Sequence, residues 1–201
     1  MTTLTFPSSV SPSSIEWGIK SNTQSFTSPL NSSTQTLELP GAHWYATLNF
    51  TNLNAEKGRI LSAFLAQLRG SSGRFYLYDS AFSTPRGVAT GTPLVKGASQ
   101  TGSSLVTDGW TTSVTGILLA GDYIEVNSEL KIVVADVDSD ASGNATLSIE
   151  PPLRNSPSDN APLTMTNPKT IMRLVDDNQT KRSSTSIYSN NFTINCVEAF
   201  Q

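Results

Sequence analysis

Cysteine occurs once in the 201 residues, at Cys196, and histidine once, at His43. A single cysteine excludes an intramolecular disulfide, and its place in the alternating NFTINCVEAF predicts a buried small apolar side chain rather than a nucleophile. A single histidine excludes a histidine metal cluster. A Ser-His-Asp arrangement would have to be built on His43, which precedes Trp44 in a predicted strand, and no G-x-S-x-G elbow accompanies it. Walker and G-x-G-x-x-G sequences are missing too, and the glycines near Arg69 and Gly73 only part a helix from a strand. Charge is sparse at 14%, with 13 Lys and Arg against 16 Asp and Glu and no basic run. That balance, net -3, argues against broad affinity for nucleic acid or anionic membrane, which takes clustered Lys and Arg. No stretch approaches the roughly 18 apolar residues of a membrane span. MTTLTFPSSVSPSS has neither the positive charge nor the apolar stretch of a secretion signal, so the cytoplasm is the expected place of synthesis.

What is abundant is Ser and Thr, together roughly a quarter of the chain, in a pattern that suits short strands and turns. IEWGIK, TQSFTS, TQTLEL and WYATLNF alternate in polarity between turn-forming residues, as antiparallel strands with one buried face do, which makes Trp17, Phe26, Leu37 and Trp44 core candidates. NAEKGRILSAFLAQLRG breaks the rhythm. It sets Ile60, Leu61, Phe64, Leu65 and Leu68 at helical spacing, with Asn54 placed to cap the start and Gly70 to end it, so a helix over 54–69 should pack on the sheet. GRFYLYD follows as a strand with Phe75 and Leu77 on one face and Tyr76 and Tyr78 on the other. TPRGVATGTPLVKGASQTGSS has little periodicity and reads as a connection. SLVTDGW, GILLAGDYIEVNSELKIVVADV and ATLSIEPPL then supply about five short strands, which suits a small barrel or sandwich. After the loop-like PPLRNSPSDNAP, alternation returns in TIMRLVDD and IYSNNFTINCVEAF. The expected fold is mainly β: a β-sandwich domain of residues 1–84 and 155–201 carrying the helix, with a small barrel inserted at 85–154.

Three groups of residues invite chemistry. DVDSDASGNATLSIE begins like a calcium-binding loop, with Asp138, Asp140 and Ser142 at the first, third and fifth places and Gly143 at the sixth. The twelfth place, where a bidentate glutamate closes the cage, is Ile149, and the flanks read as strands, so a turn is expected. Asp176 and Asp177 are adjacent and would point to opposite faces of a strand, and Asp122 and Glu125 lie in or beside a turn. Trp17, Trp44, Tyr76, Tyr78 and Trp110 could stack on sugar rings, against a simpler role in core or interface packing. No catalytic, cofactor-binding or metal-ligating residue is assigned, and no enzyme activity is expected.

SFTSPLNSSTQTLELPGAHWYATLNF, FLAQLRGSSGRFYLYD, GTPLVKGASQTGSSLVTDGW and LLAGDYIEVNSELKIVVADVDSDASGNATLSIEPPLR resemble minor tail proteins of long-tailed bacteriophages, and among them the distal tail protein family. The resemblance runs from about Ser14 to Phe200. It implies a homo-oligomeric ring, usually a hexamer, that joins the tail tube to the tip or baseplate hub, with tube, hub and tape measure proteins as partners and the virion tail tip as the location. It also implies that the middle unit is an oligonucleotide/oligosaccharide-binding-type barrel, with GDYIEV and LKIVVADV as strands and DSDASGN as a turn between two of them. The unit lacks the basic and aromatic face that single-stranded nucleic acid needs. The alternative is a carbohydrate-binding module for host-surface attachment, which predicts glycan binding lost on replacing Tyr76 or Trp110.

Overall fold

A computed structural model describes residues 3–186 and 189–200. In chain order its strands are β1 (Thr3–Thr5), β2 (Ser14–Lys20), β3 (Thr23–Thr27), β4 (Thr34–Glu38), β5 (His43–Leu53), β6 (Arg74–Tyr78), β7 (Gly91–Val95), β8 (Gly102–Trp110), β9 (Tyr123–Val126), β10 (Glu129–Val133), β11 (Ala145–Leu153), β12 (Lys169–Leu174), β13 (Ser183–Ser186) and β14 (Ser189–Glu198). Helix α1 (Ala55–Leu68) lies between β5 and β6 and is the α-helix of the described residues. The fold is therefore mainly β, as the alternation predicts. The chain divides into two compact units, one of Pro7–Ser72 with Arg173–Glu198, the other of Met1–Phe6, Gly73–Met172 and Ala199–Gln201.

In the first unit β5 runs antiparallel between β2 and β14, and β13 pairs with β14. The register sets Phe192 opposite Phe50, Ile194 opposite Leu48 and Cys196 opposite Ala46, so even-numbered residues of both strands share one buried face. Helix α1 covers that face with Leu61, Phe64, Leu65 and Leu68, all buried. Each such side chain contributes roughly 1.5–3 kcal/mol on leaving water. Gly58 is part of the same contact, because a Cβ there would stand 2.9 Å from the Asn190 carboxamide of β14. The Asn54 side chain accepts the Lys57 N–H at 2.8 Å and caps the helix as expected. The other end differs from expectation: the left-handed cap is Arg69 (φ 54), one residue before Gly70. Cys196 is buried, its thiol donates to the Ala46 carbonyl at 3.3 Å, and burial pushes its pKa up to about 12, which keeps it unreactive. The beginning of the last alternating stretch, Ile187 and Tyr188, lies outside the described residues.

The second unit holds two sets of paired strands. In one, β1 runs parallel to β6 and β12 antiparallel to it, with Phe75 and Leu77 buried and Tyr78 exposed as the strand pattern predicts. The other is a five-stranded antiparallel sheet in the order β7-β8-β11-β10-β9. Its two edges meet the same segment: Val95 on β7 donates to Ala161 and accepts from Asn160, while Glu125 on β9 exchanges both backbone hydrogen bonds with Thr164. The sheet thus curls into a barrel-like unit whose edges are paired instead of bare. Val95, Leu105, Ile124, Val126, Leu147 and Ile149 fill it. Strand β7 falls inside the Gly- and Thr-rich stretch that reads as a connection; its burial alternates, but Pro93 and four small residues around it leave little periodicity to detect. The run LKIVVADV is strand only as far as Val133, after which Val134 is exposed and Val137 bridges to Leu118.

Candidate functional site

The acidic stretch 136–144 is built as a clamp for backbone amides. Asp136 accepts the N–H of Ala120 at 2.8 Å, Asp138 that of Gly116 at 2.7 Å, and the Ser139 hydroxyl that of Val114 at 2.8 Å. Asp140 accepts from the backbone of Ser142 and Asn144 and from the Asn144 carboxamide, closing a turn in which Gly143 takes φ 75. Those bonds, the Asn144 carboxamide first, hold the Asp140 carboxyl below its usual range. Carboxylate oxygens that a cation would need are turned onto different loop amides. Among the described residues no group of three or more His, Cys, Asp or Glu is gathered as a metal site.

The other carboxylates are equally occupied. Asp122, buried, accepts from Arg86 N (2.8 Å) and Gly87 N (3.1 Å) and, at 2.8 Å, from Leu119 N. It thereby ties the 86–87 segment to the 119–122 turn. Asp177 accepts the N–H and hydroxyl of Ser71, both at 2.8 Å, while Asp176 accepts the Asn178 N–H and the Gln179 carboxamide, so the adjacent pair serves two separate contacts. His43 Nδ1 lies 2.8 Å from the Gly41 carbonyl. Glu125 accepts the Lys169 N–H, and Lys169 in turn places its ammonium 4.7 Å from the centre of the Tyr76 ring.

Burial raises the Glu125 carboxyl above its usual pKa, against the opposing pull of the Lys169 N–H and charge. A raised pKa in the folded state means a contribution that is full below the ordinary carboxylate value and is lost as pH rises through the raised one. Glu125→Gln should therefore equal wild type near pH 4 and exceed it in stability at pH 7. Urea midpoints at both pH values read this out, and a variant weaker than wild type at pH 7 would contradict it.

The aromatic residues are mostly inside. Trp110 is buried, its indole donating to Thr107 Oγ1 at 2.8 Å, and Trp44 is buried against Trp17 with ring centres 6.0 Å apart. Tyr76 is half-buried beneath Lys169, and of the five only Tyr78 is exposed. They form no stacking platform for a sugar. The barrel-bearing unit carries six Lys or Arg against ten Asp or Glu, and its Lys131 is fully buried, so it offers no basic track for nucleic acid either.

What stands out is the hairpin of β3 and β4. Among the described residues these strands pair only with each other, and every residue of both is exposed. Gln24 faces Leu37 and Phe26 faces Gln35, so one side of the hairpin holds Phe26, Leu37 and two Gln, while the other holds Thr, Ser and Glu38. Phe26 is 64% exposed, Leu37 59% and Leu30, at the tip, 95%. Two of the four side chains expected in the core, Phe26 and Leu37, are thus on the surface, because alternation marks two faces without saying that either is covered. A lone two-stranded hairpin is marginal in water, and apolar groups on it gain by being covered. The signal was present in TQSFTSPLNSSTQTLEL, where Ser, Thr and Gln leave too few apolar residues for a core strand pair. No protein-family model matches the chain, and no curated protein matches it.

Proposed function

We propose that the protein is a structural component of a phage tail tip, a ring-forming adaptor of the distal tail protein kind that joins the tail tube to the tip hub. The observation that carries this reading is the β3–β4 hairpin, whose apolar side presents Phe26 and Leu37 with Leu30 at its end. The resemblance of four long stretches of sequence to minor tail proteins supports it independently. Assembly is the whole of the proposed activity: copies close into a ring, usually of six, tube protein docks on one side, and hub and tape measure proteins on the other. The proposed location is the virion tail tip, and no enzymatic step is involved. An acidic balance suits a ring through which DNA passes without being held.

The hairpin residues should matter to assembly and not to folding. Replacing both Phe26 and Leu37 with serine is expected to leave the monomer's stability within about 0.5 kcal/mol of wild type, because both are exposed. Self-association should weaken by at least tenfold, as covering either side chain is worth roughly 1.5–3 kcal/mol. Sedimentation velocity across a concentration series measures it. Unchanged association in the double variant would remove the hairpin from the contact.

A further inference from the structure

The first unit has a polar cleft of about 320 Å³ beside β13 and β14, lined among others by Asn178, Gln179, Lys181, Ser183, Thr193 and Asn195. Two of its carboxamides are fixed by the fold. Gln179 accepts the Asn195 N–H at 2.9 Å and donates to Asp176 at 3.0 Å, and Asn195 accepts from the Thr47 hydroxyl at 3.0 Å. Thr193 is held by donating to Asn49 at 3.0 Å. By contrast, the side chains of Asn178, Lys181 and Ser183, all exposed, make no hydrogen bond or ion pair with the described residues. Among the described residues no carboxylate lines the cleft; Asp176 is held by the Gln179 carboxamide at 3.0 Å.

We infer that this cleft is a binding site for an acidic saccharide, with Lys181 meeting the acidic substituent and Asn178, Ser183 and Thr193 meeting hydroxyls. Carboxamides and hydroxyls both donate and accept, as sugar hydroxyls do, so a polyhydroxylated ligand can pair with each. The lone ammonium, with no carboxylate among the lining residues to neutralise it, favours a ligand bearing a carboxylate or phosphate. Fixed Gln179 and Asn195 cost nothing to order on binding. Phe192, the aromatic residue among the described lining, is buried and offers no exposed ring to stack on, so one cleft should bind weakly, with Kd on the order of 1 mM. The inference does not depend on ring formation, and it places sugar recognition away from Tyr76 and Trp110.

The test is a titration of the full-length, isotope-labelled chain by nuclear magnetic resonance with glucuronate, glucose 6-phosphate, glucose and inorganic phosphate. Saturable shifts of the Asn178, Gln179 and Asn195 side-chain signals with either acidic sugar, and weaker ones with glucose, are expected. Which of the two acidic sugars binds more tightly tells carboxylate from phosphate as the preferred substituent. Lys181→Ala, at an exposed position, should fold as wild type and lose about fivefold in affinity for the acidic sugars while leaving glucose unchanged. Equal shifts with inorganic phosphate alone, no saturable shifts with either acidic sugar, or unaltered affinity in Lys181→Ala would each overturn the proposal.

Discussion

Glu129→Ala is expected to destabilise the barrel-bearing unit by about 3–5 kcal/mol. Glu129 and Lys131 lie two residues apart on β10, opposite Val126 and Ile124, and so share the side of the strand that faces the barrel core. Lys131 is fully buried, with its ammonium 2.6 Å from Glu129 Oε2 and 2.9 Å from the Pro152 carbonyl. The second carboxylate oxygen accepts the Asn155 N–H at 3.2 Å, and Oε2 also lies 3.3 Å from the Arg154 N–H, so the pair holds the chain leaving β11. Removing the carboxylate leaves a buried positive charge without its counter-charge and strips acceptors from two amides. Replacing both partners, Glu129→Leu with Lys131→Met, should cost far less than the single change, because the desolvation of two charges is removed along with their attraction. Denaturant unfolding of the single and double variants decides it. If the single change cost under about 1 kcal/mol, the pair would not be the electrostatic anchor described here.

Asp122→Ala should come next in effect, at about 3 kcal/mol. The buried carboxylate accepts three backbone N–H groups, those of Arg86, Gly87 and Leu119, and alanine would leave all three without an acceptor. There is little room for the segment to adjust, since a Cβ on Gly87 would stand 2.5 Å from the Ile117 carbonyl. The contact of the exposed Arg86 guanidinium with Asp122, at 3.9 Å, adds little by comparison. Accordingly Arg86→Ala, which keeps the backbone N–H and gives up only that contact and the exposed guanidinium's hydrogen bond to the Ala120 carbonyl, should cost under about 1 kcal/mol. Urea unfolding of the two variants side by side separates the amide clamp from the ion pair, and equal losses in both would contradict this assignment.

Local signals in the sequence carried the regular elements well. The helix stripe Ile60, Leu61, Phe64, Leu65 and Leu68 and the strand GRFYLYD needed only period and polarity; the helix buries all of its stripe but Ile60, which is half-buried, and the strand buries Phe75 and Leu77. DSDASGN was readable as a turn because Asp140 and Asn144 satisfy the backbone locally. What escaped depends on partners distant in sequence. Lys131 in LKIVVADV looks like an outward polar residue, and only the return of β11 and the acid two residues earlier make its burial tolerable. Phe26 and Leu37 alternate as core residues do, yet among the described residues no third strand pairs with theirs. The cleft is a product of β14 meeting the 178–183 segment, and its residue types, Asn, Gln, Ser and Thr, are those of any surface loop.

The proposed function requires copies of this chain to assemble through surfaces that a monomer leaves bare. Mass photometry of the purified wild-type protein over a range of concentrations, followed by negative-stain imaging of any large species, tests it most directly. Closed rings of one fixed copy number are expected, in the wild type or once tail tube protein is added, and their loss in the Phe26→Ser, Leu37→Ser double variant. A chain that stays monomeric at every concentration and in the presence of tube protein would contradict it.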